Sequence, residues 1–216
     1  MTDTLLAYHN APALKDSTLA KIRAHEAADE IIQGRYWSDG KGCAVGCLLE
    51  DPDGGHDRYE TEFGIPVQLA WLEDGIFESM TIEQAKTWPA RFMDAIPVGA
   101  DLSGVWPLFA VWLMVDETYG LVNITEAEDV KAVCLRVAEG YQRRVDGDPM
   151  TAAEEQAVTD AARDAWAARD AWAARAARDA WAARDARDAR DAFVTASAEK
   201  LLELLAGAPV PSLQAA

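Results

Sequence analysis

From Thr151 to Ala206 the chain contains neither glycine nor proline. Within that stretch, Ala162 to Phe193 is built almost wholly from units of Ala-Arg-Asp and Ala-Arg-Asp-Ala-Trp-Ala. Alanine, arginine and leucine are strong helix formers. Thr151 and Glu154 have the spacing of a capping box at the front, and Gly207 and Pro209 stand at the back. The tract therefore predicts one long helix, which would span roughly 80 Å if unbroken.

The repeat does not predict a coiled coil. A three-residue unit advances about 300°, so successive units drift backwards around the helix by about 60°. Trp166, Trp172 and Trp181 then fall at roughly 0°, 240° and 60°, on no common stripe. Pairs such as Arg175–Asp179, Arg184–Asp188 and Arg187–Asp191 support the helix by about 0.3 kcal/mol each. Exposed tryptophans, with Leu201, Leu202, Leu204 and Leu205, would leave apolar surface in water. A homo-oligomer joined through the C-terminal helix is the expected answer to that.

The first 150 residues are more varied. A helix is expected over about Asp16 to Gln33, ended by Gly34. Pro66 opens a second, with Val67, Leu69, Ala70, Leu72, Ile76 and Phe77 as its apolar residues. Thr81 with Gln84, and Thr125 with Glu128, read as further capping boxes. The first would start a short helix interrupted near Pro89, the second a helix over Glu126 to Val145. Val105 to Val115 is apolar nearly all round, which predicts a central core helix holding Trp106 and Trp112. The fold class is all-α: a globular body over 1–148 with a Gly/Cys loop at 34–60, a long helix over 149–207 and a flexible tail over 208–216.

Charge and cysteine content restrict the functions open to this fold. The net charge is −17, and the first 150 residues carry 26 acidic against 12 basic side chains. Such a surface repels phosphates, so no nucleic-acid partner is expected. No run of about 18 apolar residues occurs, so neither is a membrane span. Three cysteines without a signal-peptide pattern point to a reducing, cytoplasmic setting.

The sharpest local pattern is Gly40-Lys41-Gly42-Cys43-Ala44-Val45-Gly46-Cys47. Its glycines permit tight turns and close approach of a ligand, and Lys41 could meet a phosphate. No Ser or Thr follows the Gly-Lys pair, so this is not a P-loop. The candidate ligand-binding residues are Lys41, Gly42, Cys43, Gly46, His56, Arg58 and Tyr59. For catalysis the only nucleophile candidates are Cys43 and Cys47, with His56 or His25 as base and Asp57 or Glu60 to orient it. A helix N-terminus at either thiol would lower its pKa. A metal would draw on His25, Asp29, Cys43, Cys47 and His56. The spacing matches no standard zinc motif, so neither metal nor cofactor is expected.

The segments GKGCAVGC, HDRYETEFGIP, LAWLEDGIFE and WPARFMDAIPVGADLSGVW, with the closing KLLELL, resemble an uncharacterised family of bacterial and phage proteins. The resemblance implies no activity. By analogy with small acidic phage proteins, it implies binding of a host protein or a small ligand, such as a nucleotide signal. A non-enzymatic binding protein is the leading expectation. A Cys-dependent enzyme and a structural oligomerisation protein are the alternatives.

Overall fold

The computed structural model describes residues 5–52, 55–123, 126–160 and 182–211. They are mainly helical, joined by turns and loops, and their strand structure is one small hairpin and two isolated bridges, in line with the all-α patterning. The order is α1 (Pro12–Ala27), β1 (Trp37–Ser38), β2 (Lys41–Gly42), α2 (Ala44–Leu49), α3 (Arg58–Phe63), α4 (Val67–Ser79) and α5 (Ile82–Ala95). After these come α6 (Val105–Val115), α7 (Glu128–Val145), α8 (152–160) and α9 (Ala182–Ala206). Trp166, Trp172 and Trp181, the Arg175–Asp179 pair and the Thr125 cap lie outside the described residues. So does the course of the chain between α8 and α9. No described helix is long and apolar enough to cross a membrane.

The chain forms two compact units. Unit 1 is Met1–Trp106 with Ser197–Ala216, and unit 2 is Pro107–Ala196. In unit 1, α1 lies against α5 and α2, and α4 lies against α5, α2 and α3. Trp88, Tyr59, Phe77, Phe92, Ile22 and Leu69 are among its fully buried side chains. The end of α9 belongs to this unit. Leu201 and Leu205 are fully buried, Arg91 pairs with Glu199 at 2.7 Å, and the Asp101 N–H donates to the Pro209 carbonyl at 2.8 Å. Two of the four leucines expected at an oligomer surface are thus covered within one chain.

In unit 2, Trp112 stacks on Phe193 at 6.4 Å, and Tyr119 meets both rings. α7 turns through Gly147 (φ 79°) into α8, so residue 148 lies within this unit. Arg143 reaches across the turn to Asp148 at 3.4 Å and Glu154 at 3.2 Å. α6 has the predicted bounds, but Val111 to Val115 are only half-buried, so the helix is not buried all round.

Two predicted boundaries move. α1 stops at Ala27 because Asp29 adopts a left-handed conformation (φ 55°). Its N–H donates to the Glu26 carbonyl, and that of Glu30 donates to the His25 carbonyl. This is a Schellman close with aspartate in the place usually held by glycine. α5 runs unbroken through Pro89. The lost backbone bond and ring clash cost about 3 kcal/mol. Burial of Trp88, Phe92 and Met93 on one face offsets this.

Candidate functional site

The 30–57 segment is shaped by the path of the Tyr36 carbonyl. Asp39 (φ 56°) and Gly40 (φ 78°) turn β1 into β2, the Asp-Gly signature of a two-residue hairpin. β2 leads into α2, with Cys43 at the N-cap and its Sγ accepting from the Gly46 N–H at 3.5 Å. A Cβ on Gly42 or Gly46 would collide with the Tyr36 carbonyl oxygen. Two glycines of the GKGCAVGC loop are therefore required by backbone packing. Gln33 ties the segment to the end of α4, donating to the Phe77 carbonyl at 2.7 Å and that of Met80 at 3.0 Å.

α4 presents the other half of the site. Leu69, Ala70, Glu73, Ile76 and Phe77 are its buried stripe. Trp71, Asp74 and Glu78 lie three and four residues apart on a different face. One ligand atom from each of Cys43, Asp74 and Glu78 lies within 4.8 Å of the others. His56, only 7% exposed, places Nε2 3.1 Å from Asp74 Oδ2. Trp71, 61% exposed, stacks on the His56 ring at 3.6 Å with 15° between planes. Tyr36 meets the His56 ring edge-on at 6.2 Å. The Gly34 N–H donates to both Glu78 carboxylate oxygens, at 3.1 and 2.9 Å. Asp74 Oδ1 and the Tyr36 hydroxyl are buried with no hydrogen-bond partner.

One layer deeper lies Glu73, fully buried. The Tyr59 hydroxyl donates to its Oε2 at 2.6 Å, while Oε1 has no partner. Burial pushes this carboxyl up to about 8, against the lowering effect of the Tyr59 bond.

The arrangement opposes nucleophilic catalysis. Burial pushes Cys43 and Cys47 up to about 12, overcoming the backbone N–H on Cys43 that favours its thiolate. The expected lowering therefore does not occur. In a thiol–imidazole–carboxylate relay the imidazole stands between the other two groups. Here Asp74 is the shared neighbour of Cys43 and His56. Asp57 and Glu60 are not the partners of His56; Glu60 instead accepts the Val67 N–H at 3.1 Å, at the start of α4.

Of the residues expected from sequence to bind a ligand, Cys43 and His56 meet at Asp74. Gly42 and Gly46 support them from beneath. Lys41 points away and donates to the Asp29 carbonyl at 3.3 Å. Arg58 is held by Asp51 at 2.7 Å and Glu62 at 2.9 Å, and Tyr59 sits in the deeper layer. The mixed metal set does not assemble. His25 is held by Glu30 at 2.7 Å and Glu50 at 3.1 Å, Asp29 by Lys86 at 2.9 Å, and the Cys47 thiol donates to the Gly42 carbonyl at 3.3 Å.

Trp71, Asp74 and Glu78 escaped the sequence reading, as did Tyr36. The available signal was the spacing of two carboxylates one turn apart with a tryptophan three residues before, in a helix whose other charged residue is Glu73. No family model matches the chain, and neither a curated protein nor a solved structure matches it.

Proposed function

We propose that this chain is a non-enzymatic binding protein whose α4 face receives a positively charged ligand. One observation carries the reading: Asp74 and Glu78 stand one turn apart, and among the described residues neither pairs with a lysine or arginine. Like charges at that spacing repel, and a bound cation relieves the repulsion. Trp71, stacked on a histidine that Asp74 anchors, supplies an exposed aromatic face beside the carboxylates. Aromatic faces attract cations by their quadrupole. The position of Asp74 between thiol and imidazole favours binding over the cysteine-enzyme alternative. A nucleotide phosphate would meet two carboxylates here, so the nucleotide form of the expectation loses support.

The resemblance to bacterial and phage proteins supports a host-directed role. The net charge of −17 suits a basic partner surface.

A thermal-shift panel tests the reading. Metal cations, organic ammonium ions and nucleotides are screened against the chain and its Asp74→Asn/Glu78→Gln variant. A cationic ligand should raise the melting temperature of the parent and not of the variant. A response to nucleotides alone, or a cation response that persists in the variant, would overturn it.

A further inference from the structure

We infer that Cys43, Asp74 and Glu78 form a coordination site for one thiophilic divalent cation, with Zn2+ as its type. The inference rests on the cation-binding reading above and names the ligand.

Three donors from distant parts of the chain converge: a sulfur from the N-cap of α2 and two carboxylates from α4. Sulfur and carboxylate together are a zinc-type donor set, whereas Mg2+ and Ca2+ select oxygen alone. Each donor is also held from behind. His56 occupies Asp74 Oδ2, and a carboxylate oxygen of Asp74 lies within 4.8 Å of the Cys43 sulfur. Ligating carboxylates are held by hydrogen bonds from an outer layer, and His56 supplies one to Asp74. The Gly34 N–H fixes the Glu78 carboxylate. The Gly46 N–H donates to the Cys43 sulfur at 3.5 Å, and the Tyr36 carbonyl leaves no room for a side chain on Gly46. Among the described residues neither carboxylate pairs with a lysine or arginine, and together with the Cys43 thiolate they surround a divalent ion with three negative charges. On binding, the Cys43 S–H bond breaks, a sulfur–metal bond forms and the proton passes to water; no electron transfer is involved.

The full chain, stripped with a chelator and dialysed, would be titrated with Zn2+ and with Co2+ as a spectroscopic probe. One metal per chain is expected, with a thiolate-to-cobalt charge-transfer band. Cys43→Ala should abolish the band. Glu78→Gln, at an exposed position that leaves the fold intact by circular dichroism, should weaken affinity by roughly 100-fold. His56→Gln removes only the outer support. It should cost about 10-fold in affinity and keep the band. Cobalt binding without a thiolate band, or affinity unchanged in Glu78→Gln, would overturn the metal assignment. A shift with organic ammonium ions but none with metals would overturn it too, and leave the cation-binding reading standing. No response to either class would remove both.

Discussion

The middle of α4 in unit 1 and the first turn of α8 in unit 2 each hold a glutamate, and the two have opposite chemistry. Glu73 is fully buried, receives one hydroxyl bond and is pushed up to about 8 by desolvation. Glu154 is exposed and held down at about 2, first by the Thr151 backbone N–H at 2.7 Å, then by the Thr151 hydroxyl and Arg143. Desolvation disfavours the charged carboxylate in α4, and hydrogen bonds from donors favour it in α8. The contrast separates two uses of one residue type. In the capping box the charge itself stabilises a helix start. In α4 the carboxyl sits in an apolar stripe where its charge would be a liability, and below about pH 8 a proton removes that charge.

The largest expected effect follows from Glu73. Its folded value lies above its ordinary 4.5, so the folded state holds the proton more tightly. This carboxyl's contribution is therefore most favourable below about 4.5 and declines as pH rises towards 8. Complete ionisation would cost on the order of 5 kcal/mol. Urea melts in chelator between pH 5 and 9 should show unit 1 weakening with pH in the parent and hardly changing in Glu73→Gln. Equal slopes in the two proteins would break the comparison at its buried end.

A smaller loss is expected from Tyr59→Phe. Removing the hydroxyl leaves both Glu73 oxygens without a donor and costs about 1 to 3 kcal/mol. The lost bond favoured the ionised form, so the pH window should also move upward. A stability loss with no movement of that window would mean that the hydroxyl acts through packing alone.

The smallest effect belongs to Glu154. Its folded value lies below its ordinary 4.5, so its contribution is present above that pH and fades as pH falls towards 2. Proton-carbon NMR of the glutamate side chains should show its titration well below that of free glutamate, and Thr151→Ala should return it towards normal. An ordinary midpoint in the parent would show that the capping box does not hold in solution.

The sequence made these two glutamates unequally legible. Glu154 follows Thr151 by three residues, and that local spacing already names the bonds the structure contains. The same is true of Thr81 with Gln84, where both bonds of the box are present. Glu73 was visible only as a polar letter in an apolar helix, because its partner Tyr59 comes from another helix. The candidate site failed to show for the same reason. Cys43 and His56 stood out as residue types, yet Asp74 joins them only through the packing of α2 against α4. Pro89 misled in the other direction: a local rule against proline within helices gave way to the buried face that α5 presents. Asp39-Gly40 carried a hairpin signal, but strands of two residues each are too short to display alternation.

The Asp101–Pro209 backbone bond gives unit 1 a discontinuous make-up, with residues 107–196 spliced into it. During synthesis, the first 106 residues leave the ribosome long before the segment that carries Leu201 and Leu205 exists. Their apolar docking surface must wait for about 90 residues of intervening chain. Completion of this unit is thus necessarily a late event, and every nascent chain passes through an interval with that surface open.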